Sequence, residues 1–252
     1  MIELKSASEV ERMTQAGRVV GGLLERLASI ARPGVKTEEL DDDARAYLRA
    51  HGAEPAFLGY RGFPAAICVS INEEVVHGIP GERRIRNGDL VSLDAGAVVE
   101  GWYADAATTL LVGAVPPVAR RLTETTRRAL NEAIAQVVVG KRISDISHAV
   151  QHAAEREGFG VVREFVGHGI GRALHEDPPI PNFGPPNTGP RLQVGMALAI
   201  EPMITAGGYE VEVLRDGWTA VTKDRSLAAH FEHTVVVTDR GPVILTKPGG
   251  SR

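Results

Sequence analysis

The pattern helix, helix, strands occurs twice along this chain with its landmarks in register, which restricts the fold to one assembled from two like halves. In the first half Ser6 and Glu9 form a capping-box pattern. Val10, Met13, Val20, Leu24, Leu27 and Ile30 then recur at helical spacing until Pro33-Gly34 stops the run. Thr37, with Glu38 and Glu39, starts a second helix that turns Leu40, Ala44 and Leu48 to one side and ends at Gly52. In the second half Pro116-Pro117 opens a helix with Leu122, Ala129, Ala133 and Val137 on one side, and Ser144 is expected to cap a fourth that ends at Gly158. Gly34 to Gly52 and Gly140 to Gly158 each span 18 residues, and His77-Gly78-Ile79 matches His168-Gly169-Ile170. The step from Gly88 to Asp94 equals that from Gly195 to Glu201, and Asp105 and Glu232 both precede Thr-rich β runs. The expectation is a degenerate duplication, with halves of roughly 1–113 and 114–252 forming one unit over 1–252. A pseudo-twofold would bring acids from both halves to a shared centre. Two copies are too few for a solenoid.

Asp94, Asp105, His168, Glu201 and Glu232 each sit in or beside a short apolar run of β character, such as residues 90–93, 196–200 and 234–237. Taken singly, acids at strand ends are ordinarily solvated or paired with Lys and Arg; the duplicated order groups these five. Carboxylates so placed are partly buried, and unpaired buried charge is too costly to leave uncompensated. Lys and Arg are scarce beside these positions, so metal is a better partner than a web of salt bridges. Asp94 and Asp105 lie 11 residues apart with Gly96 and Gly101 between them, a spacing that lets the chain return and set both on adjacent strands. Four carboxylates and one imidazole suit two divalent ions, of Co, Mn, Fe, Zn or Ni. Such a pair can share a hydroxide that is nucleophilic at neutral pH and can stabilise charge on an attacked carbonyl oxygen, which is the chemistry of amide hydrolysis.

Other readings are excluded or left open by the residues themselves. Gly167-His168-Gly169-Ile170-Gly171 lacks the spacing of a dinucleotide fingerprint, and Arg163-Glu164 stands where an apolar strand should feed one. Its glycines instead let the backbone approach the centre beside His168. His77 and His175 fall outside the expected metal shell; each suits hydrogen bonding to a bound peptide, and each is equally readable as a core histidine. No stretch is apolar enough to cross a bilayer, and Met1-Ile2-Glu3-Leu4-Lys5 does not open like a signal segment, so the cytoplasm is the expected compartment. A single cysteine, Cys68, excludes an intramolecular disulfide, and a net charge of -4 offers no basic footprint for nucleic acid.

At these residues the chain resembles the type I methionine aminopeptidases. The resemblance runs through Gly59-Tyr60-Arg61-Gly62-Phe63-Pro64, residues 68–80 (CVSINEEVVHGIP), Gly101-Trp102-Tyr103-Ala104-Asp105, residues 166–176 (VGHGIGRALHE), Ile200-Glu201-Pro202-Met203 and residues 216–237. It implies an α+β pita-bread fold, with a central curved antiparallel sheet and helices on its outer face. It also implies removal of the initiator Met from nascent proteins with a preference for small second residues. By the same resemblance Asp94, Asp105, His168, Glu201 and Glu232 are the dimetal ligands, with Asp105 and Glu232 bridging. Glu201 shuttles the proton of the attacking water, His175 steadies the scissile carbonyl, and His77 holds the peptide beyond the cut bond. Tyr60, Phe63, Cys68 and Trp218, with Phe57 and Leu174, form the Met pocket, and a monovalent cation is implied near Asn72. The implied partners are N-terminal Met peptides of nascent chains and, transiently, the ribosome; neither a membrane nor specific nucleic acid is expected to bind, and the chain is expected to be a monomer. Three departures stand out: Phe57 in place of a common Cys, Leu174 in place of Phe, and His230 in place of Gln, all expected to alter pocket shape more than metal binding. The start close to the first helix implies a short bacterial-type form. The alternatives are a proline-directed peptidase of the same fold and a pita-bread module that binds without catalysis.

Overall fold

The computed structural model describes residues 1–247; the far boundary of the expected unit, 248–252, lies outside the described residues. The first half contains α1 (Ala7–Ile30), α2 (Thr37–Ala50), β1 (Glu54–Pro55), β2 (Ile67–Ile71), β3 (Glu74–Val76), β4 (Leu90–Val99) and β5 (Trp102–Leu111). Next come α3 (Pro117–Ile134), α4 (Ile143–Glu155), β6 (Gly160–Val161), β7 (Gly167–Gly169), β8 (Glu176–Ile180) and β9 (Ala197–Ile200). The chain closes with β10 (Met203–Thr205), β11 (Val211–Val213), β12 (Ala220–Thr222), β13 (Ala228–His230), β14 (Glu232–Thr238) and β15 (Gly241–Ile244).

The helix ends follow from local chemistry. Ser6 precedes α1, and its N–H is accepted by the Glu9 carboxylate at 2.8 Å, the reciprocal half of a capping box. The expected cap of α4 is corrected: the helix starts at Ile143, and Asp145 reaches back to the Arg142 N–H at 2.8 Å. Ser144 lies inside the first turn, where its hydroxyl donates to the Thr188 carbonyl. The carboxylate of the third helical residue thus accepts the N–H of the residue that precedes the helix, the reciprocal half of a capping box.

Nine strands form one sheet in the order β1-β4-β5-β14-β9-β7-β8, with β2 added to β4 and β15 to β14. Its spine is the β4–β5 hairpin, paired from Leu90↔Leu111 to Val99↔Trp102. The two-residue turn between them places Glu100 and Gly101 at φ of 50° and 75°, the paired positive values that match strand twist. Alternation then sorts the faces. Leu93, Ala95, Ala104 and Ala106 join Val20, Leu23, Leu27, Leu40 and Leu48 of α1 and α2 in one buried cluster. Leu198, Ile200, Val235 and Val237 join Leu122, Ala129, Ile146 and Val150 of α3 and α4 in another. Each fully buried aliphatic chain contributes roughly 1.5–3 kcal/mol. All four helices therefore lie on one side of a curled antiparallel sheet, the pita-bread arrangement, and the residues two apart from the acids are committed to the other side.

The C-terminal end of the described chain closes against α1. A Cβ on Gly17 would overlap the Leu245 carbonyl, and one on Gly21 would come within 2.9 Å of the Lys247 backbone. Gly17→Ala is therefore expected to lower stability by about 1–3 kcal/mol through overpacking, although alanine is the better helix former by about 1 kcal/mol. Urea unfolding reads the sign; an unchanged or raised midpoint would show that this contact can relax freely.

Candidate metal centre and substrate pocket

The register of the sheet gathers the acids. Asp94 on β4 and Glu232 on β14 both stand opposite Ala107 of β5, so the three form one row across three strands. Asp105 is two residues from Ala107 and hence on the same face, opposite Gly96. His233 pairs with Ile200, which brings Glu201 to the end of the same row, and His168 stands opposite Ala199, two residues before Glu201. The small side chain of Ala107 leaves the middle of the row open. A Cβ on Gly167 would overlap the Ala199 carbonyl and lie 3.4 Å from Glu201 Cγ, so the glycine beside His168 does allow a close approach.

Donor atoms of Asp105, His168 and Glu232, all buried, lie within 4.8 Å of one another. His168 Nε2 is 3.4 Å from Asp105 Oδ2 and 3.6 Å from Glu201 Oε1. Its Nδ1 is 2.8 Å from the Gly169 carbonyl; with Nδ1–H donating there, the Nε2 lone pair is left for a metal. Asn182 Nδ2–H donates to the Glu201 carbonyl at 3.0 Å, and the Thr234 hydroxyl accepts the Asp105 N–H at 3.1 Å. These bonds fix two of the acids from behind.

The electrostatics of the cluster favour either bound protons or a cation. Burial, reinforced by the neighbouring carboxylates, holds Asp94 and Glu232 well above the usual carboxylate range. Burial, with Asp105 adding to it, carries Glu201 to about 8. Burial alone would lower His168, but its bond to Asp105 and the charge on Glu201 carry it up to about 9. Asp94 Oδ1 is buried with no hydrogen-bond partner among the described residues. An orphaned carboxylate oxygen within an oxygen-rich set containing one imidazole fits a divalent metal. Arg61 is the one Lys or Arg that lines the cavity among the described residues, and it lies exposed with its guanidinium 5.4 Å from the Tyr60 ring.

The same cavity is lined by Phe57, Tyr60, Phe63, Cys68, His77, Leu174, His175 and Trp218. Cys68 of β2 stands opposite Asp94, and burial with the charges on Asp94 and Glu232 pushes its thiol well up, so it stays neutral. Phe63 meets Trp218 edge-on at 5.1 Å, and Trp218 meets His77 at 6.3 Å. Gly96 makes room for Phe57, whose ring a Cβ there would approach to 2.8 Å. His175 lies 4.2 Å from the His168 ring, and its Nδ1 is 2.8 Å from the Tyr60 hydroxyl. Burial, then the nearby His168 charge, lowers His175 to about 4, and burial lowers His77. Both rings are neutral near pH 7.

The five expected ligands and the eight expected substrate-contacting residues thus border one cavity, whereas His230 and Asn72 do not line it. Arg61 was not assigned a role there, although its place between Gly59 and Gly62 in a tight turn marked the segment. His230 is a correction. It does not line the cavity but is buried behind Glu201, with Nε2 3.9 Å from Glu201 Oε2 and no partner among the described residues. The departure from the common Gln therefore falls beside Glu201 and not on the cavity wall.

Residues 11–239 match the model of metallopeptidase family M24, and the chain belongs to that family. Within it, a methionine aminopeptidase of Clostridium acetobutylicum is 48% identical over 98% of this chain and 99% of its own length. The crystal structure of a methionine aminopeptidase from Thermotoga maritima superposes with a TM-score of 0.97 at 46% identity, covering 98% of this chain and all of that one. A prolidase from Pyrococcus horikoshii, at 22% identity and a TM-score of 0.79, shares the fold alone, and this chain covers 63% of it.

Metal must displace protons from this cluster. Glu201 titrates at about 8 and so is largely protonated at pH 7 before metal binds. Calorimetric titration of divalent metal in buffers of different ionisation enthalpy is expected to show release of at least about one proton at pH 7 and apparent affinity that weakens from pH 8 to 6. Binding without proton release, at constant affinity, would contradict the ligand set.

Proposed function

We propose that this protein is a dimetal aminopeptidase that hydrolyses the peptide bond after the N-terminal methionine of nascent chains, favouring small second residues. The observation that carries this reading is the union, in one cavity, of a buried carboxylate-rich cluster with a soft aromatic and thiol wall. Relatives named methionine aminopeptidases over nearly the full chain length support the same substrate class.

Asp94, Asp105, His168, Glu201 and Glu232 would hold two divalent ions, of Co, Mn, Fe, Zn or Ni, with Asp105 and Glu232 shared between them. Bound there, the ions supply Lewis-acid activation of water and of the scissile carbonyl. Glu201, ionised once the ions have displaced its proton, takes the proton of the attacking water on a carboxylate oxygen and passes it to the leaving amine. His175 is neutral, and a Tyr60 hydroxyl donating to Nδ1 leaves Nε2–H to stabilise the carbonyl oxygen as the centre becomes tetrahedral. His77, also neutral, hydrogen-bonds the peptide beyond the cut bond. Tyr60, Phe63, Cys68, Trp218, Phe57 and Leu174 enclose the methionine side chain, whose flexible thioether suits aromatic edges and an un-ionised thiol.

The proposal extends to one catalytic unit over 1–252 built from halves meeting near residue 113, acting as a monomer in the cytoplasm with transient ribosome contact. No helix among the described residues is long and apolar enough to cross a membrane. It also includes a monovalent cation near Asn72, where the chain turns at φ 60° and the carbonyl oxygen accepts the Ala228 N–H at 2.8 Å.

Metal-loaded protein is expected to cleave Met-Gly peptides and to leave Xaa-Pro peptides intact in a coupled amine-release assay; preference for Xaa-Pro would instead assign a proline-directed peptidase. His175→Ala is expected to lower kcat by about 10²–10³ at unchanged metal content, the loss typical of one oxyanion donor. Parent-like turnover at full metal occupancy would remove His175 from the mechanism.

A further inference from the structure

His175 sits at the end of a short turn, 171–175, between β7 and β8, and no element of regular structure carries it. What shapes this turn is the next residue. Glu176 Oε1 accepts the N–H groups of Arg172 at 2.7 Å and Ala173 at 3.2 Å, folding the turn back on itself. Its other oxygen, Oε2, accepts Lys5 Nζ at 2.6 Å across 171 residues of sequence. One carboxylate therefore ties the segment bearing Leu174 and His175 to the extreme N-terminal part of the chain.

Lys5 is unusual for a lysine this near a terminus. Its side chain is 3% exposed, and its other carboxylate neighbour, Glu3 at 3.3 Å, is itself 67% exposed. The Lys5 backbone is fixed, with its N–H donating to the Gly195 carbonyl at 2.7 Å. A Cβ on Gly195 would come within 2.6 Å of the Lys5 carbonyl, so the two segments are in close contact. A Cβ on Gly171 would overlap Lys5 Cε, which means the lysine stem lies directly on the first residue of the turn. Gly171 in turn accepts the Tyr103 N–H at 2.9 Å. The nearby pair of the Met1 ammonium with Asp177, at 2.9 Å, is fully exposed at its cationic end and adds little.

We propose that Lys5 is a positioning residue for His175, acting through Glu176: the buried ammonium holds the carboxylate where it can accept both turn amides. Glu176 is 14% exposed, and Lys5 is its one salt-bridge partner among the described residues. Without that charge the carboxylate gains by turning to water, and the Arg172 and Ala173 amides lose their acceptor. Apart from the Tyr60 hydroxyl, His175 has no side-chain hydrogen bond to hold it in place among the described residues. The inference rests on the role proposed above for His175.

The test uses metal-loaded Lys5→Met, Glu176→Gln and the double variant, with Met-Gly-Met as substrate and trypsin as a probe of the exposed Arg172. Lys5→Met is expected to lose about tenfold or more in kcat, as displacement of a catalytic group by an ångström does, at unchanged metal content. It is also expected to be cut faster by trypsin after Arg172 while the rest of the chain resists. The double variant leaves no uncompensated carboxylate and keeps an amide oxygen for the turn, so it recovers part of the loss. Should Lys5→Met fail to fold, Glu176→Ala, which leaves the Arg172 and Ala173 amides no side-chain acceptor, carries the same expectation of selective cleavage after Arg172. Turnover of Lys5→Met within about twofold of the parent, or a loss of kcat without selective cleavage, overturns the proposal. If the parent does not hydrolyse Met-Gly-Met, the proposed function fails, while cleavage after Arg172 still judges the tie between Lys5 and the turn.

Discussion

Carboxylates set side by side on one sheet face repel one another, and in this protein four of them, two buried and two half-buried, share that face with a single imidazole. Desolvation and mutual repulsion hold Asp94, Glu201 and Glu232 toward their protonated forms, and Asp94 keeps an oxygen with no partner among the described residues. Left alone, such a cluster works against folding. A divalent cation held there, as proposed, would turn the repulsion into attraction, so that the same charges that oppose the fold would become its ligands.

The rest of the architecture serves that arrangement. The β4–β5 turn and the pairing of β14 with both β5 and β9 set the four acids on one side, and alternation sends their neighbours into two helix-backed cores. Small residues occupy the places where bulk would interfere: Ala107 within the row of acids, Gly96 under Phe57, Gly167 beside Glu201. The substrate side is less rigid. His175 depends on a turn shaped by Glu176 and on a hydroxyl from Tyr60, and neither lies on a sheet strand shared with the metal ligands.

The helices were legible in the sequence because they obey local periodicity, and the gathering of the five expected ligands in one cavity because they sit beside short β runs. Leu40, Ala44 and Leu48 recur at helical spacing, and Asp94 and Asp105 are separated by a turn that glycine makes possible. The four-helix, two-half order also read correctly as helices over one side of a curved sheet. What escaped was decided by residues far apart in the chain or by competition at one helix end. Ser144 looked like a cap, but the helix starts at Ile143, Asp145 accepts the Arg142 N–H, and the serine hydroxyl bonds Thr188 instead. The His230 departure was expected to alter pocket shape more than metal binding, because a sequence carries no information on which side of β13 meets Glu201. The tie between Lys5 and Glu176 spans almost the whole first three-quarters of the chain and follows no spacing rule.

Anomalous scattering from metal-loaded crystals bears most directly on the buried acidic cluster, since it reports the number, type and ligands of the ions at once. Two ions are predicted, held by Asp94, Asp105, His168, Glu201 and Glu232, with Asp105 and Glu232 touching both. Ions seated elsewhere, or a centre from which Asp94 and Glu201 turn away, would contradict the account.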